Sequence, residues 1–425
     1  MKRTGSFMGR GKSTAPVFCV ATMVLFAAWG ASPASAQQWP QWGGPHANFV
    51  ADAAGLAKKW PDDGPKQLWK RALGEGYSAI LVDGGRLYTM YRGDDREIVI
   101  CLDAKTGDTI WEHKYDAKPA EGHEHGFGDG PRSTPLIWGD RLYTIGVSGV
   151  MHCLDKKDGK VNWSADLWKD LGGSFLNHGY SSSPVRYGNT VIALSGGEGA
   201  SVIAFDKDDG HVVWKALDFK NSYSTPVFIK LDGEDQMITF MAQEIIGVDP
   251  TNGELKWRYE HGNQWGQNVC PPIWNAANNI LFFSSPEAGA RAVKLTAAGD
   301  KTNVEELWST RKIQFYHVTS IALGDYVFGS TGTMGPTFFA AVNVKDGKIA
   351  WRERDFAKAT CVYADGRFII LDENGQLGLA SASPEGFSVH SKAKVLDKAA
   401  WTVPTVAGKT MYARDKKNIV AFDLG

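Results

Sequence analysis

A glycine-rich stretch of this sequence collects several side chains that could ligate a metal. His123 and His125 flank Glu124, and Asp129 and Arg132 follow within the same stretch. Imidazole nitrogens and carboxylate oxygens are ligands that Zn²⁺ takes in proteins. His123, His125 and Asp129 are therefore candidate metal ligands. A solvated polar loop is the alternative, because a His-x-His pattern alone is a weak signal.

A second polar stretch carries Asn177, His178 and Tyr180. A histidine can exchange a proton near neutral pH, so His178 is a candidate acid or base. Arg132 could hold a carboxylate or a phosphate through its forked guanidinium group. Each has a structural alternative: a hydrogen-bonded histidine, and an arginine that caps loop carbonyls or pairs with Asp129.

Other polar and aromatic side chains stand just before, or at the start of, short apolar segments that recur along the chain. These further candidates for ligand contact are Glu75, Tyr77, Trp265, Gln267, Asn268, His317 and Trp401. The sequence contains no G-x-S-x-G, G-x-x-x-x-G-K-S/T or H-E-x-x-H motif, the patterns that would indicate a nucleophile, a phosphate loop or a zinc protease. The catalytic residues, if the chain has any, are therefore unknown from its motifs.

One eleven-residue pattern recurs along the chain and determines how these side chains must be positioned. CLDAKTGDTIW at 101–111 returns as CLDKKDGKVNW at 153–163, and a decayed copy at 380–390 ends in His390. The tryptophans of the series are Trp69, Trp111, Trp163, Trp214, Trp257, Trp308 and Trp351. Their spacing of 42 to 52 residues is typical of the blades of a β-propeller.

Each repeat contains four short strand-like runs separated by turn residues, which predicts a four-stranded antiparallel blade. Starts of innermost strands recur from Tyr77 to Thr402, once in each of eight repeats. The last repeat lacks its outer strand, and KQLWKRAL at 66–73 can supply it. We therefore predict an all-β, eight-bladed propeller closed by its N- and C-terminal strands. A right-handed solenoid is the alternative that these matching half-repeats disfavour.

The repeated tryptophan has a structural interpretation. On an outermost strand its ring can fill the gap between neighbouring blades, where burial contributes about 2–3 kcal/mol. The first residue of the pattern is small, and we expect the neighbouring ring to pack there. Cys101 and Cys153 then stand in for alanine, and we expect them to remain free thiols.

Composition and the N-terminus predict where the protein is found. The formal net charge of −1 gives no electrostatic basis for binding nucleic acid. Basic residues, an apolar run at 17–30 and a small-x-small pattern at 34–36 predict a cleaved signal peptide, with an uncleaved anchor as the alternative. The expected parts are a signal peptide at 1–36, a leader at 37–65 and the propeller at 66–425. With no later membrane span, we expect a soluble periplasmic or secreted protein.

The repeated pattern resembles the tryptophan-docking motif of the PQQ-like β-propeller repeat superfamily, and the resemblance covers about residues 66–425. That superfamily includes the quinoprotein alcohol dehydrogenases and the outer-membrane assembly factor B. The leader WPQWGGPHANF at 39–49 resembles that of an exported subgroup. The resemblance implies the propeller fold, whereas function must be argued from the site.

The resemblance also implies what a dehydrogenase would need. Members of that type hold their quinone beside two adjacent cysteines and a Ca²⁺ bound by carboxylate and amide oxygens. This sequence has no adjacent cysteines and no C-x-x-C-H haem attachment site. The assembly-factor type, a non-catalytic scaffold, fits better, although the lipid-attachment motif of that type is missing.

We predict a non-catalytic scaffold that binds a periplasmic protein or a small-molecule ligand and requires no cofactor. Its binding face would be formed by the enlarged loops 116–132 and 168–182. The alternative is a PQQ-dependent alcohol or sugar dehydrogenase with a divergent pocket. Its contacts to Ca²⁺ and quinone would be Glu75, Arg132, Asn177, Trp265 and Asn268. A metal-assisted hydrolase built on the two histidine-bearing loops is a third interpretation.

Overall fold

The computed structural model describes residues 38–333 and 337–425, so the predicted signal peptide at 1–36 lies outside the described residues. Within them the chain forms eight four-stranded sheets arranged in a ring, and one sheet carries a fifth strand. The predicted eight-bladed, all-β propeller is confirmed. The helical content of this part of the chain is one 3-10 turn, His125–Phe127, and no described helix is long and apolar enough to cross a membrane.

The strands are numbered in chain order, and each blade runs from the channel outward. Two strands precede the first blade: β1 (Val50–Ala51) and β2 (Lys66–Ala72). Blade 1 comprises β3 (Leu81–Asp83), β4 (Arg86–Gly93), β5 (Arg96–Asp103) and β6 (Thr109–Asp116). Blade 2 comprises β7 (Leu136–Trp138), β8 (Arg141–Ile145), β9 (Val150–Asp155) and β10 (Val161–Asp166). Blade 3 comprises β11 (Val185–Tyr187), β12 (Thr190–Leu194), β13 (Val202–Asp206) and β14 (Val212–Ala216). Blade 4 comprises β15 (Val227–Leu231), β16 (Glu234–Phe240), β17 (Glu244–Val248) and β18 (Leu255–Glu260).

The second half of the ring repeats this order. Blade 5 comprises β19 (Ile273–Asn275), β20 (Ile280–Ser285), β21 (Gly289–Ala298) and β22 (Lys301–Thr310). Blade 6 comprises β23 (Ser320–Leu323), β24 (Tyr326–Thr331), β25 (Phe338–Asn343) and β26 (Ile349–Glu353). Blade 7 comprises β27 (Thr360–Ala364), β28 (Arg367–Leu371), β29 (Gln376–Ser383) and β30 (Gly386–Lys394). Blade 8 comprises β31 (Thr405–Ala407), β32 (Thr410–Arg414) and β33 (Asn418–Asp423), with β2 as its outer strand.

The Asp and Gly residues of the repeat form the turn between the third and fourth strands of a blade. In blade 2, Asp155 Oδ1 accepts the backbone N–H of Lys157 at 2.7 Å. Gly159 has a φ of 76°, a conformation that a side chain disfavours. The strand register shifts between Val161 and Trp163. The short pattern therefore encodes a complete turn and the bulge that precedes the tryptophan.

The repeated tryptophans contact the blade that follows them. The Trp111 indole N–H donates to Lys156 O at 3.2 Å, and a Cβ on Gly159 would lie 2.6 Å from the Trp111 ring. Both contacts recur for Trp69 with Ala104 and Gly107, for Trp163 with Lys207 and Gly210, and for Trp308 with Val344 and Gly347. The small residue of the pattern pairs with the tryptophan of its own blade: Cys101 lies opposite Trp111. The ring thus packs on the turn glycine of the next blade.

Blade 4 shows what happens when the next blade lacks this turn. The third and fourth strands of blade 5 continue into a long hairpin. Trp257 instead donates its indole N–H to Gln236 Oε1 of its own blade at 2.9 Å. Gln236 Nε2 in turn donates to Thr302 Oγ1 of that hairpin at 2.9 Å. A glutamine therefore relays the contact between blades 4 and 5.

Hydroxyl groups at the starts of the innermost strands link neighbouring blades around the channel. Thr134 Oγ1 accepts the Ala79 N–H at 3.1 Å, and Ser183 Oγ accepts the Thr134 N–H at 2.9 Å. Thr225 Oγ1 accepts the Ser183 N–H at 3.0 Å. The repeated Ser and Thr residues thus satisfy backbone groups that no sheet partner reaches.

The ring closes between its first and last segments. β2 pairs antiparallel with β33, which places Trp69 opposite Ala421. The fully buried Arg414 donates to Met90 O at 2.7 Å and to Gly74 O at 3.1 Å, joining blade 8 to blade 1. The predicted closure by N- and C-terminal strands is confirmed, and it leaves no open circular edge.

The leader crosses the ring on the side opposite the long loops. Trp39 forms a backbone bridge with Val82 of blade 1, and the Ile137 N–H of blade 2 donates to Pro40 O at 2.8 Å. β1 then pairs parallel with β27 of blade 7. These contacts lie toward the far ends of the innermost strands, so the leader spans that end of the channel.

The cysteines of the described residues are free and buried: Cys101, Cys153, Cys270 and Cys361. Burial raises the pKa of Cys101 and of Cys153 to about 11. Both therefore behave as small apolar residues rather than as reactive thiols.

Candidate functional site

A small cavity occupies the channel at the end where the long loops emerge. Its volume is about 150 Å³, and its walls come from the segments that begin the innermost strands of all eight blades. These lining residues are Tyr77, Arg132, His178, Ser181, Ser183, Tyr223, Thr225, Gln267, Val269, Tyr316, His317, Val318, Thr319, Thr360, Trp401, Thr402 and Val403. Trp42 of the leader and Phe127 of the first long loop complete the lining.

Phe127 lies across the mouth of this cavity. Its ring centroid is 5.1 Å from that of His178, 5.5 Å from that of His317 and 5.6 Å from that of Trp401. These three partners precede blades 3, 6 and 8, so the ring reaches across the channel. The Tyr77 hydroxyl donates to Phe127 O at 2.7 Å, which fixes the backbone of the covering residue.

An aromatic stack forms one wall. Tyr77 and Trp401 stack with centroids 5.4 Å apart, and Trp401 stacks on His317 at 5.7 Å with an interplanar angle of 5°. The Trp401 indole N–H donates to Glu373 Oε2 at 3.2 Å. Trp401 therefore packs against two protein rings, those of Tyr77 and His317.

Among the described residues that line the cavity, Arg132 carries the one permanent charge. Its guanidinium donates to Gly128 O at 2.6 Å, and burial lowers the Arg132 pKa. Burial, followed by the positive charge of Lys358, lowers the pKa of His317 to about 3. Burial also lowers the pKa of His178. Both imidazoles are therefore neutral at neutral pH, and their nitrogens can accept or donate one hydrogen bond each.

Two imidazole atoms in this region have no hydrogen-bond partner. His178 Nδ1 and His317 Nε2 are buried and unsatisfied, although His178 Nε2 lies 3.0 Å from Gln267 Nε2. The Tyr316 hydroxyl donates to the other amide atom, Gln267 Oε1. An unsatisfied buried polar atom costs about 1–3 kcal/mol. A water molecule or a small polar ligand in the cavity would offset that cost.

The sequence prediction and the cavity agree on part of the lining. Of the predicted ligand contacts, the cavity collects Tyr77, Arg132, His178, Gln267, His317 and Trp401. It does not collect Glu75, Asn177, Tyr180, Trp265 and Asn268. The ligand role of the first group stays a prediction.

Two of the remaining residues are held inside the fold. The Asn268 side chain is fully buried and donates to Met241 O at 2.8 Å. The Tyr180 hydroxyl is committed to the carbonyl of Ser195 at 3.1 Å. Their polar atoms are used by the backbone, so they support the loops rather than face a ligand.

The two long loops contact each other, as the consecutive blades require. The Glu124 N–H donates to Asn177 O at 2.7 Å, and the Tyr223 hydroxyl donates to Asn177 Oδ1 at 2.5 Å. A Cβ on Gly122 would lie 3.6 Å from the Phe175 ring. Loops 116–132 and 168–182 thus form one continuous surface beside the mouth.

Trp265 has a different environment from the other aromatic candidates. Its side chain is 62% exposed, on the loop between β18 and β19. Asn263 Oδ1 accepts the backbone N–H groups of Trp265 at 3.1 Å and of Gln267 at 3.2 Å. This turn holds Trp265 outward at the edge of the mouth.

The predicted metal ligands converge outside the channel. His123, His125 and Asp129 each offer a ligand atom within 4.8 Å of the others. His125 and Asp129 also line a polar surface cleft of about 600 Å³ together with Glu75. Glu75 Oε2 accepts the Asp129 N–H at 3.2 Å, so Glu75 belongs to this cleft.

The quinone and Ca²⁺ of the alternative interpretation do not fit the cavity. Ca²⁺ takes six to eight oxygen ligands, commonly including carboxylates, and no Asp or Glu is among the described residues that line the cavity. Of the predicted quinone and Ca²⁺ contacts, Arg132 alone lines it. A volume of about 150 Å³ is also below the ~300–1,000 Å³ of most ligand pockets.

Sequence reasoning missed the two residues that close the cavity. Phe127 lies between the candidate metal ligands and carried no repeat signal. Trp42 belongs to the leader, and only the path of the leader across the ring brings it to the channel. The glycines around Phe127 were the available sign that this loop folds back on itself.

The fold and this cavity together define the class. Eight four-stranded blades arranged in a ring make a PQQ-like repeat propeller. The family described as outer membrane protein assembly factor BamB matches the chain over residues 47–125 and 95–353. These segments span more than half of the chain, and the chain belongs to that family.

Sequence relatives fall into two groups. The chain is 25% identical over 245 residues to the outer membrane protein assembly factor BamB of Yersinia pestis, a match over 53% of this chain and 56% of that protein. It is 28% identical over 199 residues to the quinohemoprotein alcohol dehydrogenase ADH-IIG of Pseudomonas putida, over 44% of this chain and 26% of that protein. The chain thus spans about half of the first relative and a quarter of the second.

Solved structures show the same fold. The crystal structure of BamB from Moraxella catarrhalis has a TM-score of 0.57 at 17% identity, covering 84% of this chain and 99% of that chain. The quinohemoprotein alcohol dehydrogenase ADHIIG from Pseudomonas putida HK5 has a TM-score of 0.51 at 12% identity, covering 92% and 81%. At these identities the likeness is one of fold alone.

Proposed function

We propose that this protein is a non-catalytic scaffold of the assembly-factor type that binds another exported protein through its long-loop face. That face comprises loops 116–132 and 168–182 together with Trp265. The observation that carries the proposal is the exposed Trp265, whose backbone N–H is held by Asn263 Oδ1. The likeness to outer membrane protein assembly factors supports a periplasmic location for this chain.

Trp265 has the properties of an anchor for a partner. Tryptophan is enriched among the few residues that carry most of the energy of a protein interface. The Asn263 side chain holds the Trp265 backbone through its Oδ1, and Asn263 Nδ2 donates to Asn268 Oδ1 at 3.1 Å. A backbone turn that is already positioned loses less freedom on binding.

A second apolar group lies on the same face. Phe175 is 39% exposed and packs on Trp168 with centroids 5.7 Å apart. It belongs to the loop that touches loop 116–132. Apolar groups that stay exposed at a channel mouth, rimmed by polar loops, are typical of protein interaction sites.

The cavity itself supports binding rather than catalysis. It is small, and the aromatic rings of Phe127 and Trp42 are part of its lining. The described lining residues include no carboxylate that could orient its imidazoles for proton transfer. We propose that the residues of the cavity hold the long-loop face in place.

Site-specific photocrosslinking in the source organism tests the proposal. A photoreactive amino acid placed at position 265 or 175 should give the same discrete adduct, identified by mass spectrometry as one exported protein. The matched control is Val213, which is 47% exposed on the outer strand β14, away from the mouth.

The outcomes separate the alternatives. An adduct at 265 and 175 that is absent at 213 supports a partner on the long-loop face. No adduct at any position, or equal adducts at all three, contradicts it. If the ligand is a small molecule instead, no protein adduct should form at these positions. The small molecule should then bind to the cavity, and Arg132→Ala should abolish that binding.

A further inference from the structure

We propose that His123, His125 and Asp129 form a binding site for a divalent transition metal, and that Zn²⁺ is the ion whose ligand preference they match. The site lies on the first long loop, outside the channel cavity. It goes beyond the proposed scaffold function, which needs no metal.

The three ligand atoms are clustered, and a hydrogen bond joins two of them. His125 Nδ1 lies 2.7 Å from Asp129 Oδ1, and His123 Nε2 lies 3.4 Å from the same oxygen. One carboxylate oxygen therefore lies near both imidazole nitrogens. Two imidazoles and one carboxylate are a ligand set of zinc sites that keep an open position.

The burial of His123 is the second, independent observation. Its side chain is 2% exposed, and its Nε2 has no hydrogen-bond partner although it points toward Asp129. Buried polar atoms are hydrogen-bonded in the large majority of cases. A metal ion between His123, His125 and Asp129 would satisfy that nitrogen.

The other side of the site is open. His125 is 66% exposed, and the cleft of about 600 Å³ that it lines with Asp129 and Glu75 reaches the surface. A metal bound there would keep water in its remaining positions. The cleft therefore suits an exchangeable ion better than a closed structural one.

A second cluster, with two aspartates and one histidine, gives a comparison. Asp206, Asp209 and His211 also lie within 4.8 Å of one another. Asp206 Oδ1 accepts the backbone N–H of Asp208 at 2.8 Å as part of the repeated turn, and His211 is 62% exposed. The turn accounts for this cluster, and its one imidazole is exposed to solvent, unlike that of His123.

Calorimetric titration of the chain with Zn²⁺, after removal of metals by a chelator, tests the site. One Zn²⁺ ion per chain should bind. His125→Ala and Asp129→Asn should each weaken the affinity by at least about tenfold, since even outer-shell partners of metal ligands cost ~10–100-fold. His211→Ala should leave it unchanged.

The Zn²⁺ titration can support the site or overturn it. One-to-one binding that is weakened by both ligand variants and kept in His211→Ala supports the site. Absence of stoichiometric binding, or an affinity that only His211→Ala reduces, overturns it. His125 and Asp129 are partly exposed, so each ligand variant should melt like the parent without metal. With Zn²⁺ the parent and His211→Ala should melt higher, and the two ligand variants should not.

Discussion

Raising the pH should destabilise the propeller through one buried carboxyl group. Glu97 lies in β5, fully buried between blades 1 and 2. Its Oε1 accepts the Val147 N–H at 3.0 Å, and its Oε2 contacts the Tyr115 hydroxyl at 2.7 Å. Burial raises the Glu97 pKa from 4.5 to about 7, against the lowering effect of these bonds and of Arg92.

The sign follows from where the proton is held. Between pH 4.5 and 7 the folded chain keeps a proton on Glu97 that the unfolded chain has released. Stability is therefore greatest below this window and falls as the pH rises through it. At about 1.4 kcal/mol per pKa unit, a shift of this size costs about 3 kcal/mol when the window has been crossed.

Glu97→Gln isolates this effect. The amide keeps an acceptor for the Val147 N–H and a donor for Tyr115, but it does not titrate. Urea unfolding of both proteins from pH 5 to pH 8 should show the variant gaining about 2–3 kcal/mol relative to the parent. The buried histidines titrate alike in both proteins, so their contribution cancels. Parallel pH profiles, with a constant difference, would refute the reasoning.

Other variants test the contacts of the ring and of the cavity. Gly159→Ala should cost about 1–3 kcal/mol more than Gly139→Ala in urea unfolding, because both have a positive φ but only the Cβ at 159 would meet a tryptophan ring, at 2.6 Å; equal costs would argue against that contact. Phe127→Ala should make His317 react several-fold faster with diethyl pyrocarbonate, measured by peptide mass mapping, since the two rings lie 5.5 Å apart; an unchanged rate would show that the mouth is open without it. Trp265→Ala should change stability by at most about 0.5 kcal/mol in a thermal melt, and a larger loss would assign this residue to the fold instead of to a partner.

The fold could be predicted from the sequence because its information is local and repeated. A turn such as Asp155–Gly159 and the tryptophan after it lie within one short pattern, and the spacing of the copies counts the blades. The outer strand of blade 8 was also predictable, since the two ends of the chain carry complementary halves of one repeat.

The site was predictable only in part, because it depends on where loops fold back. The position of Gln267 before an innermost strand placed it at the mouth correctly. The same argument placed Asn268 at the mouth, but side chains alternate along an extended segment, so that of Asn268 turns inward and is buried. Phe127 and Trp42 reach the channel from segments outside the repeat. No periodic signal marks such residues.

The measurement that tests the scaffold function most directly is a calorimetric titration of the chain from Gln37 with pyrroloquinoline quinone and Ca²⁺. A titration with Ca²⁺ alone is the control, and a dye-linked alcohol assay runs beside it. A scaffold should release no more heat with the quinone than with Ca²⁺ alone and should not reduce the dye. The physical reason is that no Asp or Glu is among the described residues that line the cavity, and that the cavity, with Phe127 and Trp42 in its lining, holds only about 150 Å³. One-to-one quinone binding that Arg132→Ala abolishes, with dye reduction, would contradict the scaffold function and make the protein a dehydrogenase.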